Sequence, residues 1–330
     1  MSRYIYLDLI KVVAIVMVIM CHLPLVDSLD MLGENIHILW NINLSIGTLG
    51  VPLFMMATGA LVLKKKFETK EDIIHFYRKN FLSIYITGVI WSVLYYLTNN
   101  IGQWNVVDVV KTILLINKPE VHLWYIRMVL MYYAVMPLLS FLCHKCTKIF
   151  CVIVFVVFLI NFGWNGYDII VCHNPTPTHS GLSLTCYLVY IAIGYWIANN
   201  KCDIPIYICI LLIVVGLFAV VYLRYADYFR FFWYDNPFIL IAGVGLFALI
   251  KQLMQESSEI IALSELSMMT FGIYLCHMLF LYPVGRYLLM LSPNEFVVYL
   301  GVLIITLVLA VILVRSCHLV RGLSKILFRY

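Results

Sequence analysis

Three ionisable side chains interrupt one apolar stretch near the N-terminus, "YLDLIKVVAIVMVIMCHLP": Asp8, Lys11 and His22. An imidazole is the side chain best matched to accepting a proton near neutral pH. A helix turns about 100° and rises about 1.5 Å per residue. Lys11 and His22 therefore fall within about 20° of each other on one stripe, roughly 16–17 Å apart along the axis, with Asp8 within about 40° of the His22 direction. Asp8 and Lys11 stand three apart and can pair. Ionisable groups inside a membrane cost free energy, so they face a protein interior or a water-filled cavity. The helix thus offers an Asp8–Lys11 pair near its start and a candidate base, His22, near its end. Asp8 joins His22 as a candidate catalytic group. A histidine that bonds a neighbouring helix, with an interfacial Asp8–Lys11 pair, accounts for the same residues without chemistry.

Further polar groups stand in other apolar runs. "VHLWYIRMVLMYYAVMPLL" carries His122, Trp124 and Arg127, and "LSMMTFGIYLCHMLFLYP" carries Tyr274 and His277. Three histidines on three spans can meet in one cavity, where these five residues would bind a substrate. Trp124 and Tyr125 also suit an aromatic belt at the membrane surface. A proton-coupled transporter uses the same kinds of group, so that reading stays open. Most of the ten cysteines lie in apolar runs, among them Cys21, Cys151, Cys186, Cys209 and Cys276, where cysteine acts as a small hydrophobe. "CHKC" at 143–146 supplies three ligands where a structural zinc site needs four, and reads as an interhelical loop. His173 and His179 in "HNPTPTHSG" stand six apart, and no metal is expected there; that loop suits contact with an external substrate.

These groups need helices to hold them. The chain has 330 residues, 64% hydrophobic and 12% charged, with a mean hydropathy of +0.97. A soluble domain carries about 25% charged residues, so the composition dictates an all-α, polytopic membrane protein. Ten spans are expected, at roughly 6–26, 45–63, 81–98, 122–142, 150–163, 182–199, 204–223, 237–250, 267–284 and 297–315, forming a single membrane domain over 1–330. "WNVVDVVKTILLI", between the third and fourth, has the spacing of a short interfacial helix. With both termini in the cytoplasm, 15 of the 22 Lys and Arg fall on the cytoplasmic side and 5 on the other, leaving Lys11 and Arg127 within spans. This asymmetry accounts for the net charge of +5, and no nucleic-acid partner is expected. "KKK" at 64–66 fits a stop-transfer anchor, with a phosphate-binding patch as the alternative. No cleavable signal is expected, because the first apolar run is too long and lacks a small-residue cleavage site.

"LDLIKVVAIVMVIMCH" resembles the first helix of integral-membrane acyltransferase family three, whose signature is an arginine, ten intervening residues and a histidine; here Lys11 and His22 hold those places. "GVPLFMMATGALV" at 50–62 is similar to the family's second-helix motif, with Thr58–Gly59 in place of a serine–glycine pair. "HLWYIRMVLMYYAVMP" and "SMMTFGIYLCH" resemble two further blocks, and the resemblance runs from residue 4 to about 318. It implies a bacterial inner-membrane O-acyltransferase that draws on cytosolic acyl-CoA, most often acetyl-CoA, and acylates a sugar hydroxyl of a surface polysaccharide or its lipid-linked precursor. It implies His22 as the base and Lys11 as part of the donor grip. The family often opens its third helix with an arginine pair three apart. Asn80 and Ser83 stand there, so Arg78 and Lys79 are the candidates to replace that pair. Lysine at position 11 lacks the bidentate fork of arginine. Cys21 points about 100° away from His22, which argues against a thiol-borne acyl intermediate.

Overall fold

The computed structural model describes residues 4–23, 34–172, 183–226, 234–255, 257–258, 260–291, 294–320 and 322–329. The loop with His173 and His179 lies outside the described residues. Every regular element among the described residues is helical. In chain order these are α1 (Ile5–His22), α2 (Glu34–Gly47), α3 (Gly50–Thr58), α4 (Lys70–Phe76), α5 (Ser83–Asn99), α6 (Val106–Ile113), α7 (Trp124–Lys145), α8 (Thr147–Phe158), α9 (Trp164–Ile170), α10 (Tyr187–Ala198), α11 (Ile206–Tyr225), α12 (Pro237–Met254), α13 (Ile261–Leu291), α14 (Glu295–His318) and α15 (Leu323–Leu327).

Nine described segments are long and apolar enough to cross a membrane: Ile5–His22, Asn41–Leu63, Lys70–Asn99, Val121–Lys145, Thr147–Ile170, Ile206–Tyr225, Pro237–Met254, Ile261–Leu291 and Phe296–His318. The protein is a multi-pass membrane protein. The sixth expected span is the exception, since its apolar helix covers only Leu184–Ala198. At about 1.5 Å per residue such a helix falls short of a hydrocarbon core of about 30 Å. Its length is tolerated because α10 runs through protein, with Tyr190, Ile191 and Ala192 fully buried. Lipid-facing positions fall instead on α8, α11 and α14, where Phe155, Phe218 and Ile304 are exposed. The interfacial helix foreseen in the 99–121 loop is α6, with Val106, Val107 and Val110 exposed and Thr112 buried.

α1 is the packing centre, flanked by α2, α3, α12 and α13. Glycines let its neighbours approach. A Cβ on Gly50 would come within 2.7 Å of the Ala14 carbonyl oxygen of α1. Where α3 crosses α10, a Cβ on Gly59 would overlap the Ile191 carbonyl, and one on Gly194 would overlap the Met56 backbone. This is the backbone-to-backbone packing that small residues allow in membranes. Three π-helical turns interrupt the long segments, at Gly59–Leu63, Tyr77–Leu82 and Leu159–Gly163. The first two flank one cavity, consistent with the tendency of π-bulges to mark functional sites.

Candidate active site

The three embedded histidines meet. His22 comes from the last turn of α1, His122 from a 3₁₀ turn (Val121–Leu123) that leads into α7, and His277 from the middle of α13. Their ring centroids are 5.2 Å apart for His22–His277, 5.0 Å for His122–His277 and 6.3 Å for His22–His122. His122 and His277 are fully buried, and His22 is half-buried.

Hydrogen bonds set the tautomers. The Val18 carbonyl can only accept, so His22 Nδ1 donates to it at 2.7 Å, and a neutral His22 ring then carries its lone pair on Nε2. His277 Nδ1 donates likewise to the Tyr274 carbonyl at 2.7 Å, and its Nε2 is buried with no hydrogen-bond partner among the described residues. Both ring nitrogens of His122 are in the same state. Buried polar atoms of this kind are rare and call for an explanation, such as a catalytic role. Among the described residues no set of three His, Cys, Asp or Glu is arranged to hold a metal ion. The tyrosines form a frame: Tyr95 stacks edge-on to His122 at 5.3 Å, and Tyr274 does so at 5.2 Å while donating to the His122 carbonyl at 2.5 Å.

Two cavities approach this cluster from opposite ends of the bundle. The first, of about 490 Å³, opens at the end where α1 begins and includes Lys11, Thr58, Lys65, Asn80, Ser267 and Arg329 in its lining. Its inner wall carries Tyr125 and Tyr274, whose rings sit 5.4 Å apart. The second, of about 870 Å³, opens where α5 ends and α7 begins. It includes Asn99, Glu120, Trp124, Arg127, Tyr187 and Tyr234. Trp124 stacks with Tyr234 at 5.5 Å, giving this cavity a broad aromatic wall. The first turns of α7 divide the two spaces. Glu120, Trp124 and Arg127 face the second cavity, Tyr125 and Ile126 the first, and His122 lies between.

The expected site residues therefore separate by place. His22, His122 and His277 form one cluster. Trp124 and Arg127 line the second cavity, with Arg127 also donating to the Leu115 and Ile116 carbonyls at 3.3 and 3.1 Å. Tyr274 links the first cavity to the cluster. Asp8, expected as a catalytic group together with His22, lies about 21 Å of helix axis from it. It is buried at the Lys11 end, accepting from Ser267 at 2.6 Å and Ser264 at 3.2 Å, with Lys11 Nζ at 3.9 Å. It faces Lys11, which lines the first cavity. Arg78 and Lys79, expected in the donor site, are exposed and absent from the cavity lining. The π-turn Tyr77–Leu82 directs Asn80 into the cavity and turns the two basic residues away.

The basic residues that line the cavity beside Lys11 are Lys65 and Arg329. Lys65 belongs to the "KKK" run, whose phosphate-binding alternative pointed to it. Arg329 gave no local signal, because nothing in its neighbourhood shows that residue 329 returns to α5. A partial signal for the Asp8 clamp exists in "LSELS", which puts Ser264 and Ser267 on one face of α13.

Residues 4–315 match the profile of an acyltransferase domain. No curated protein and no solved structure matches the chain.

Proposed function

The chain belongs to acyltransferase family three, a family of integral-membrane acyltransferases, and on that premise we propose that it moves an acetyl group from acetyl-CoA to a sugar hydroxyl across the histidine cluster. The observation that carries this reading is the meeting of three imidazoles, with the bare Nε2 of neutral His22 among them, between a cationic cavity and an aromatic one.

The first cavity receives the donor. Lys11 and Lys65 attract the CoA phosphates, while Phe54, Val62 and Val129 line an apolar path for the pantetheine arm. The roughly 16–17 Å from Lys11 to His22 suits the length of that arm. The second cavity receives the acceptor: Trp124, Tyr187 and Tyr234 offer flat faces to sugar rings, and Asn99, Glu120 and Arg127 bond hydroxyls. The Tyr125–Tyr274 wall lies between cavity and histidines, so thioester and hydroxyl meet when these rings part.

In the reaction His22 Nε2 removes the acceptor hydroxyl proton as the oxygen attacks the thioester carbonyl. The tetrahedral intermediate collapses, the C–S bond breaks, and CoA leaves as its thiol with the proton returned from the imidazolium. His122 and His277 present nitrogen atoms to the same space and orient the hydroxyl. The setting is a bacterial inner membrane, with both termini and the donor cavity on the cytoplasmic side. The whole membrane domain, 1–330, performs both recognition steps, and the acceptor is a surface polysaccharide or its lipid-linked precursor.

The test is transfer of labelled acetyl from acetyl-CoA to isolated surface glycan by protein reconstituted in vesicles. Label should appear as a base-labile ester in the glycan. Full transfer by His22→Ala would remove the base assignment, and glycan labelling absent in the wild type would remove the acceptor class.

A further inference from the structure

Past α14 the chain turns at Gly322, whose φ of 85° is the left-handed conformation that favours glycine, and forms α15 against α5. Two side chains of α5 hold it there. Thr87 Oγ1 donates to the Ile326 carbonyl at 3.0 Å and Trp91 Nε1 to the Leu327 carbonyl at 2.7 Å, satisfying acceptors that a helix end leaves open. Phe328 is fully buried, 5.5 Å from the Trp91 ring, in a space that exists because Gly272 lacks a side chain; a Cβ there would stand 3.1 Å from the Phe328 Cβ. So anchored, the next residue enters the first cavity. The Arg329 guanidinium lies 6.0 Å from the Phe271 ring and donates to the Lys79 carbonyl at 3.2 Å.

Arg329 joins Lys11 and Lys65 in the cavity lining. Lys11 has Asp8 as its counter-charge. Neither Lys65 nor Arg329 has a carboxylate within salt-bridge distance among the described residues. Arg329 is half-buried while Lys65 keeps solvent contact, and partial desolvation holds each below its ordinary pKa, with Lys79 and Arg329 adding repulsion at Lys65. Two like charges gathered at one cavity are unfavourable in the free protein, and an anion placed between them removes that penalty.

We propose that residues 323–329 form a strap that brings Arg329 to Lys65, and that the two cations clamp a phosphate ester of the acyl donor. The proposal rests on the acyl-CoA reading above and adds a donor-binding element from outside the spanning helices. Arginine suits the task, since its planar fork binds phosphate in a bidentate manner, the capacity that Lys11 lacks. Trp91 is a positioning residue, acting on the donor through the Leu327 carbonyl. A lipid headgroup presents the same phosphate chemistry, so the experiment separates the two sources.

The experiment uses the full chain in detergent and measures CoA binding by titration calorimetry and acetyl transfer by label. Arg329→Ala and Lys65→Ala should each weaken CoA binding by about tenfold or more, the loss of one charge-assisted phosphate contact. Arg329→Lys should recover part of it, and the exposed Lys148→Ala should bind as wild type. Transfer from S-acetylpantetheine, which has no phosphate, should be equal in wild type and Arg329→Ala; a folding defect lowers it too and would overturn the clamp. Wild-type CoA affinity in Arg329→Ala would overturn the strap while leaving the acyl-CoA reading in place. A wild type that ignores CoA, but retains phosphatidylglycerol that Arg329→Ala releases, would assign the site to lipid and overturn both.

Discussion

His22 is placed by one short bond and one helix end. Its Nδ1 is committed to the Val18 carbonyl at 2.7 Å, so rotating the ring to present the other nitrogen would forfeit that bond. General-base catalysis contributes about 10²–10⁴-fold. His22→Ala should lower the transfer rate by that range while CoA binding stays within about twofold, because the phosphate contacts lie roughly three helical turns away; parallel calorimetry and turnover check the split. Lys65 allows a second prediction at this scale. Burial, then Lys79 and Arg329, hold its amine below the ordinary lysine pKa. Lys11 and Tyr133 line the same space. The sign follows: a depressed pKa means the ammonium is lost at a lower pH than in free lysine, and its hold on phosphate is lost with it. CoA affinity should therefore fall on the alkaline side earlier than an unshifted lysine would allow. Lys65→Arg, which stays charged, should flatten that limb. Binding titrations across pH decide it, and an unchanged slope in Lys65→Arg would assign the limb to another group.

At the scale of elements, the crossing of α3 and α10 sets the floor of the first cavity, since the turn after Thr58 supplies Leu61 and Val62 to its lining. Gly59→Ala forces a methyl into the Ile191 carbonyl, and overpacking of this type costs about 1–3 kcal/mol. Thermal unfolding in detergent should show a clear drop, and Ala60→Gly beside it a smaller one. α1 and α13 are joined by the Asp8 clamp, in which one carboxylate accepts from two serines and faces Lys11. Asp8→Asn keeps the shape but removes the counter-charge, so the expected outcome is a raised KM for acetyl-CoA at nearly unchanged kcat. A fall in kcat alone would place Asp8 nearer the chemistry than its 21 Å of helix axis allows. The Asp8–Lys11 pair and the shared stripe were legible from spacing, because both are properties of a single helix. Asn80 in place of Arg78 and Lys79 was not: one π-turn changes the angular register, and apolar periodicity carries no mark of where such a turn falls.

At the scale of the whole molecule, nine of the ten expected spans are long apolar segments among the described residues, and the meeting of His22, His122 and His277 was foreseeable, since polar groups in an apolar chain have few places to go. The lining of the cavities was not. Glu120, Tyr187 and Tyr234 come from three separate loops or helix starts, and Arg329 from a strap that packs on α5 more than two hundred residues away in sequence; their proximity is a fact of tertiary packing. The two cavities open at opposite ends, and this arrangement makes sidedness a testable consequence. Two exposed native cysteines mark the ends: Cys172 follows α9, and Cys202 lies between α10 and α11. Counting helices from α1 puts Cys202 at the Lys11 end and Cys172 at the His22 end. In vesicles sorted by impermeant thiol labelling, acetyl-CoA added on the Cys202 side should support transfer, and acetyl-CoA confined to the Cys172 side should not. Glycan acceptor should show the reverse dependence, because Trp124 and Tyr234 face the Cys172 end. Transfer with both substrates supplied only from the Cys202 side would mean that the acceptor enters through the first cavity. The aromatic cavity would then have no part in the reaction.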